Sequence, residues 1–278
     1  MERRDRDCHG IAPICHGLSV RQAAYIFRMF GAAALKPIGY AAVAVAVLVG
    51  LIPPAWAGPP YVSDDPEPTD YRHFEIYAFT SGTQTLGGTA GQTGIDFNYG
   101  AAPDLQLTAV LPAGFGPMPP GIGLGNVQLA AKYRFLHQDG FGLDVSFFPR
   151  LFLPAGSSVS GDTNASILLP LWLEKDWDNG KWSVFGGGGC VISADSTEDH
   201  CLAGGVLTHQ VLDRLQLGLE VSYQSAQANG VLPTTAVGLG ARYDITDNYH
   251  LLAYANRGVQ NPSETNQYSW YAALLFTF

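Results

Sequence analysis

The chain ends on Asn266-Gln-Tyr-Ser-Trp-Tyr-Ala-Ala-Leu-Leu-Phe-Thr-Phe278, a stretch that alternates with a period of two. Successive side chains of a β-strand point to opposite faces, so one face carries only apolar residues: Trp270, Ala272, Leu274, Phe276 and Phe278. A strand at the carboxyl terminus can complete a sheet by pairing with the first strand. This pattern, closed by an aromatic residue, favours the last strand of an outer-membrane β-barrel. A soluble sandwich that ends on a buried strand would show the same alternation and is the alternative.

An export signal is predicted near the other end of the chain. The apolar run from Ile38 to Ile52 is followed by Pro53-Pro54 and by Ala55-Trp56-Ala57, the small-x-small pattern of a signal-peptidase site. The run is shorter than the roughly twenty residues that a membrane-spanning helix needs. We therefore expect residues 1–57 to be a signal peptide and the mature protein to begin at Gly58.

The stretch before the apolar run is longer than an ordinary signal-peptide start. Residues 1–28 are polar and basic, whereas Met29 followed by Lys36 would give a leader of normal length. Met29 is therefore a candidate for the true translation start.

The charge of the chain excludes nucleic acid as a partner. The formal net charge at pH 7 is −9, and residues 58–278 contain nine Lys or Arg and twenty-one Asp or Glu. Such an acidic exported chain has no basic surface that could follow a phosphate backbone.

Two cysteines, Cys190 and Cys201, remain in the expected mature chain. In an oxidising periplasm they can form a disulfide across the base of one loop. Metal ligation with Asp199 and His200 is the alternative, although the cysteines are too far apart for a C-x-x-C site. We favour the disulfide and expect no metal.

Residues 72–278 are interpreted as strands, with no segment of helical period. The segments are long enough for a tilted strand to cross a bilayer, and an even number returns the chain to its starting side. Twelve such segments lie near residues 72–80, 92–101, 104–112, 122–136, 140–152, 165–174, 180–190, 201–211, 214–225, 233–244, 248–257 and 266–278. The fold class predicted is all-β, an antiparallel transmembrane β-barrel of 12 strands.

The connections support a barrel because short and long ones alternate. Compact turns rich in Asp, Asn and Gly are predicted at 102–104, 137–140, 176–180, 212–213 and 244–248. Longer Gly-, Pro- and Ser-containing stretches lie at 81–91, 113–121, 153–164, 191–200, 226–232 and 258–265. Short periplasmic turns and longer outer loops are typical of outer-membrane barrels.

Charged residues in the strands are expected to point into the lumen. A charge on the lipid-facing side costs about 2–4 kcal/mol near the bilayer midplane. The candidates for a lumenal constriction are Glu75, Asp96, Asn98, Lys132, Arg134, Asp144, Glu220, Arg242 and His250. They form either a structural network of ion pairs that stiffens the barrel or a polar constriction in a conducting path.

The segment 58–71 is rich in proline and acidic residues, so a regular strand or helix is excluded there. It is either a periplasmic lead-in or a plug in the lumen. Its carboxylates could hold a calcium ion, but such sites need six or more oxygens in fixed geometry, and we expect none. These carboxylates are Asp64, Asp65, Glu67 and Asp70.

The expected mature chain resembles a family of outer-membrane proteins assigned to transport in the meta-pathway of phenol degradation. The resemblance depends on Gly58-Pro59-Pro60, Asp64-Asp65-Pro66-Glu67-Pro68, His73, Glu75, Lys132-Tyr133-Arg134-Phe135, Leu169-Pro170-Leu171-Trp172-Leu173-Glu174 and Gly186-Gly187-Gly188-Gly189. Tyr61, Ser63 and Phe74 depart from it, standing where Phe, Thr and Trp are expected. The resemblance implies a β-barrel that takes up hydrophobic or aromatic compounds.

We therefore predict a channel or transporter for small molecules, hydrophobic or aromatic ones among them, that needs no cofactor and is not an enzyme. Its expected partners are outer-membrane lipid, a small-molecule solute and the barrel assembly machinery, whose recognition signal the aromatic ending resembles. One alternative is a structural or surface-interaction barrel with a blocked lumen. The other is an outer-membrane lipolytic enzyme, although no mature histidine precedes a serine in the H-x-S-N-G pattern of those enzymes and G-x-S-x-G is absent.

Overall fold

A computed structural model describes residues 59–117, 120–155, 164–228 and 230–278, and the strands among them form one closed antiparallel sheet. The predicted leader, residues 1–57, lies outside them. The strands of the sheet are β1 Phe74–Thr85, β2 Gly88–Ala102, β3 Leu105–Pro117, β4 Pro120–Leu124, β5 Val127–Leu136, β6 Asp144–Phe147, β7 Arg150–Leu153, β8 Ser166–Trp177, β9 Trp182–Ser193, β10 His200–Leu212, β11 Leu215–Gln224, β12 Thr234–Asp244, β13 Tyr249–Gln260 and β14 Tyr268–Thr277. A one-turn helix, α1, covers Gln138–Phe141, and a 3-10 turn covers Ser196–Glu198.

The barrel closes where the first strand pairs with the last, and Glu75 of β1 lies opposite Thr277 of β14. Two positions in the wall hold interrupted strands. β4 and β5 both pair with β3, and β6 and β7 both lie between β5 and β8. Within the described residues the wall therefore has twelve strand positions, which confirms the predicted 12-strand barrel.

Side chains alternate between the two surfaces of the wall. In β11, Leu217, Leu219 and Val221 are exposed on the outside, whereas Glu220 and Ser222 are buried on the inside. The same alternation runs through β13, where buried His250 and Asn256 share the inner face. An apolar exterior around a polar interior is the inverse of a soluble protein and suits a wall surrounded by hydrocarbon. Among the described residues, no helix has the length and apolar character needed to cross a membrane.

The connections differ at two of the predicted outer loops. Pairing continues from β1 to β2 as far as Thr85 opposite Gly88, and from β3 to β4 as far as Pro117 opposite Pro120. The described residues of 81–91 and 113–121 are therefore mostly paired strand. The segment 140–152 also differs, since α1 delays the start of β6 to Asp144.

Trp172 points inward, although aromatic residues near strand ends of a barrel often lie at the membrane interface. It is 0% exposed and packs with Phe148, Leu168, Val191 and Leu202. Strand parity explains this orientation, because Trp172 alternates with outward Leu171 and Leu173. An aromatic residue near a strand end thus belongs to an interfacial band only when its parity also points outward.

The outward face provides a direct test of the barrel's orientation. We expect Leu219→Arg, in the middle of β11, to lower the free energy of unfolding by about 2–4 kcal/mol, because a cation would face hydrocarbon near the midplane. Leu212→Arg, at the last residue of β10, is the matched control with an expected loss of about 0–1 kcal/mol. Denaturant titration in lipid vesicles measures both. Equal losses would contradict the assigned depth of β11.

Candidate functional site

Residues 59–73 precede β1, and the part from Pro60 to Thr69 lies mostly buried inside the barrel. The segment joins the wall at the end of the short turns, where the backbone N–H of Arg72 donates to the Gly100 carbonyl at 2.7 Å. Thr69 donates from both its backbone nitrogen and its hydroxyl to Gln106 Oε1, at 2.8 and 3.0 Å. The prolines of the segment prevent it from pairing as a strand of the sheet, so side chains of the wall must hold the segment in place.

A buried ion cluster holds the middle of the segment. Lys132 Nζ of β5 donates to Asp64 Oδ1 at 3.0 Å, and Arg150 Nη2 of β7 donates to Asp64 Oδ2. The Asp64 side chain is 2% exposed. Lys132 Nζ also donates to the backbone carbonyls of Asp65 and Glu67, at 3.0 and 3.1 Å. Asp64 is thus the shared ion-pair partner of two cations that the barrel wall buries.

The aromatic ring of Phe148 completes this cluster. Lys132 Nζ lies 5.0 Å and the Arg150 guanidinium 4.2 Å from its centroid. Both cations therefore gain a cation–π contact as well as an ion pair.

Glu220 of β11 holds the segment by its backbone. Its carboxylate accepts from the backbone N–H groups of Val62 at 3.0 Å and Ser63 at 2.6 Å. Charge-assisted hydrogen bonds of this kind satisfy donors that a proline-rich segment cannot pair within a sheet. Glu220 is fully buried, so it acts as a structural anchor for the segment.

Tyr61 occupies a space on the inner wall that two glycines leave open. A Cβ at Gly218 would lie 2.0 Å from Tyr61 Oη, and one at Gly240 would lie 2.3 Å from Tyr61 Cε1. The ring also makes edge contacts with Phe185 and Tyr254, at centroid distances of 5.7 and 5.6 Å. Because Gly218 of β11 and Gly240 of β12 lack a Cβ, they leave the space that this side chain occupies.

Burial governs ionisation in the segment. It raises the pKa of the Asp64 carboxyl, while the charges of Lys132 and Arg150 act in the opposite direction. Burial, assisted by the negative charge of Glu220, also raises the pKa of the Tyr61 phenol, so its hydroxyl stays protonated.

All nine predicted lumenal residues lie on the inward face, but they are divided among several clusters. Lys132 and Glu220 hold the N-terminal segment, as described above. Asn98 Nδ2 donates a hydrogen bond to Asp96 Oδ1 at 3.0 Å. Asn98 Oδ1 in turn accepts hydrogen bonds from Gln106 Nε2 and from the Thr108 hydroxyl. Glu75 Oε2 accepts from Tyr77 Oη at 3.0 Å.

The remaining predicted residues lie near the short turns. Arg134 Nη2 is 3.0 Å from Asp104 Oδ1, while its Nη1 is 4.0 Å from Asp144 Oδ1. Arg242 Nε and His250 Nδ1 share Asp244 Oδ1, at 3.0 and 2.6 Å. These two ion-pair groups tie adjacent strands together at the barrel's end and do not meet in a single ring.

Sequence reasoning missed Arg150, Gln106 and Glu174, which also face inward. The sequence did indicate the inward direction of Arg150, because this residue has the same strand parity as Asp144 across the break between β6 and β7. Glu174 likewise shares the parity of Trp172, and its carboxylate accepts from Ser183 Oγ at 2.5 Å. Gln106 carries no charge, so the cost of facing lipid did not single it out.

Cys190 and Cys201 lie opposite each other on β9 and β10, with 2.02 Å between their sulfur atoms. His200 points to the inner face, and Asp199 accepts from the backbone N–H of Ser193 at 2.8 Å. The residues of the metal alternative thus point in different directions. Within the described ranges, no group of three or more His, Cys, Asp or Glu side chains could hold a metal ion.

A cavity of about 760 Å³ runs beside the N-terminal segment. Its lining includes Gly180 at a short turn and, at the other end of the barrel, Gln227 and Thr265 in longer loops. The cavity is therefore bordered by residues from both ends of the barrel and by the segment itself.

The closed sheet, apolar exterior and polar lumen define the class of protein: a β-barrel of the bacterial outer membrane. No protein-family model and no curated protein matches the sequence. Among solved structures, the chain is similar to the COG4313 outer membrane channel from Pseudomonas putida F1, with a TM-score of 0.55 and 16% identity over 80% of this chain and 100% of that one. It is also similar to the KdgM porin, with a TM-score of 0.53 and 10% identity over 73% of this chain and 99% of that one. At these identities the likeness establishes the fold.

Proposed function

We propose that the protein is an outer-membrane channel through which small molecules pass along the lumen beside the N-terminal segment. The observation that carries this proposal is the cavity of about 760 Å³, bordered by residues from both ends of the barrel. A barrel wall that served only as a scaffold would need no such space. The channels and porins among the structural neighbours are consistent with this function.

We further propose that the solutes combine an apolar or aromatic body with a polar group. The cavity is lined by apolar Phe79, Val110, Phe152 and Leu168, while polar groups such as Gln128 share the same wall. Sites for small organic molecules typically combine a mostly apolar lining with a few polar contacts. The sequence resemblance to the phenol meta-pathway family agrees with aromatic compounds as one class of solute.

The experiment that tests the channel compares the intact barrel with a variant lacking residues 59–70, each reconstituted in planar bilayers. We expect a small conductance for the intact protein and a severalfold larger one for the deletion, because the segment occupies lumen that would fill with water. Absence of conductance from both folded proteins would refute the channel.

A barrel with a blocked lumen is the second candidate. It is supported by the burial of Ser63 and Asp64 against the inner wall, where the segment occupies part of the lumen. Conductance from the deletion variant alone, with a silent intact protein, would support this candidate.

A further inference from the structure

Three inward-facing residues on adjacent strands of the wall form one row. Asp96 of β2 lies opposite Val110 of β3, and Val110 lies opposite Gln128 of β5. Adjacent strands are about 4.8 Å apart, so the backbones of Asp96 and Gln128 are about 10 Å apart. Both side chains line the cavity, with only the short Val110 between them.

Two polar side chains that line the cavity have an atom without a protein partner: Gln128 in this row, and Gln92, four residues from Asp96 along β2. Gln128 Oε1 and Gln92 Nε2 make no hydrogen bond within the described structure, although the two residues are only 4% and 6% exposed. A buried polar group without a partner costs about 1–3 kcal/mol, so such atoms in a cavity wall indicate a ligand or water position. Gln128 offers an acceptor and Gln92 a donor.

Asp96 adds a carboxylate to the same wall. Its Oδ1 accepts one hydrogen bond, from Asn98 Nδ2 at 3.0 Å. An ionised carboxylate can accept about four, so most of its capacity remains for a ligand. The wall's Arg150 lies in the adjacent row, opposite Ala130; its guanidinium is paired with Asp64 of the N-terminal segment, and its charge also acts on Asp96.

The charge around the cavity favours a cation. Among the described residues that line it, nine are Asp or Glu and three are Lys or Arg. Two of these three cations, Lys132 and Arg150, are already paired with Asp64. An excess of one sign of charge in a cleft with low-dielectric walls raises the local concentration of the opposite ion.

Aromatic rings border the row on its other side. Phe79 of β1 and Tyr271 of β14 stack with a centroid distance of 6.1 Å and an interplanar angle of 7°. Phe152 lies opposite Gln128 in the neighbouring strand. These rings offer an apolar surface to the body of a solute and can make cation–π contacts with a positively charged head group.

We propose that this wall is a binding site for small organic ammonium ions. The ammonium group donates to Asp96 and to Gln128 Oε1, and the apolar body packs on Phe79 and Tyr271. The inference rests on the proposed function, because it places the solute within the conducting lumen. It narrows the solute class to cationic amphipathic molecules over their neutral and anionic counterparts.

The test uses three probes of similar size: benzylamine, which is protonated at neutral pH, benzyl alcohol and benzoate. Calorimetric titration of the folded, detergent-solubilised protein should show benzylamine binding at least about tenfold more tightly than benzyl alcohol, as expected for hydrogen bonds to a charged group. Benzoate should bind most weakly. In Asp96→Asn, which keeps the acceptor for Asn98, the preference for benzylamine should disappear.

Glu264→Gln, an exposed loop position that removes the same charge, should keep the preference. Gln128→Leu should weaken benzylamine severalfold and serves as the second variant if Asp96→Asn folds poorly. An unchanged preference in folded Asp96→Asn, or benzyl alcohol binding as tightly as benzylamine in the parent protein, would overturn the site. Because binding is measured without conduction, a silent channel that still prefers benzylamine would refute the channel and leave this site standing.

Discussion

Asp64→Ala is expected to release the N-terminal segment from the barrel wall. The change leaves Lys132 and Arg150 without their shared carboxylate while the segment still shields them from water. An uncompensated buried charge costs about 3–5 kcal/mol. Both cations can regain water only if the segment moves away from the wall. The free-energy difference that favours the bound segment should therefore be mostly lost. We expect the conductance to approach that of the 59–70 deletion.

Asp65→Ala is the matched control for this prediction. It removes the same charge from the next residue, but the Asp65 side chain is 39% exposed and its carboxylate is 3.4 Å from Lys132 Nζ. Exposed ion pairs are worth about 0–1 kcal/mol, so the conductance should change little.

A cysteine placed at Ser63 reports the position of the segment directly. Ser63 is buried against the wall, so Ser63→Cys should react slowly with a membrane-impermeant maleimide in the parent and in Asp65→Ala. Fast labelling should appear with Asp64→Ala. Equal labelling rates in the two alanine variants would show that the Asp64 cluster does not hold the segment.

The twelve strand positions were predictable because each strand faces two different solvents. Hydrocarbon on one side and water on the other impose a period of two that few other structures need. In the structure Lys132, Glu220 and His250 are buried on the face that their strand parity assigns to the lumen. The ends of β1 to β4 were not predictable, since glycine and threonine suit both a loop and an extended hairpin.

Partners within the lumen could not be predicted in the same way. Parity assigns a face, but contact between Asp64 and Lys132 depends on the path of an irregular segment across several strands. Glu220 bonds to backbone N–H groups, for which side-chain sequence carries no signal. The proline and acid content of 58–71 indicated an irregular segment and left its location open.

The four glycines from Gly186 to Gly189 lie in β9, between β8 and β10. In the structure a Cβ at each of them would meet a backbone carbonyl oxygen of a neighbouring strand within 2.3 Å. These atoms belong to the β8 and β10 ladders and cannot move without breaking wall hydrogen bonds. The glycines therefore serve the strand pairing that also places Cys190 opposite Cys201.

Gly187→Val is accordingly expected to prevent the barrel from closing. The backbone φ of Gly187 is 152°, a conformation that β-branched residues avoid, and its Cβ would lie 2.0 Å from the Leu171 carbonyl oxygen. Clash and backbone strain together should cost about 4 kcal/mol or more, enough to abolish most folding.

Gly140→Val is the control, because a Cβ there meets nothing within 4 Å. Refolding into detergent followed by heat-modifiable gel migration measures the folded fraction: the Gly140 variant should migrate as folded barrel and the Gly187 variant should not. A Gly187 variant that folds with normal yield would mean that β9 can shift away from β8, and the close contact between these strands would then not be required for closure.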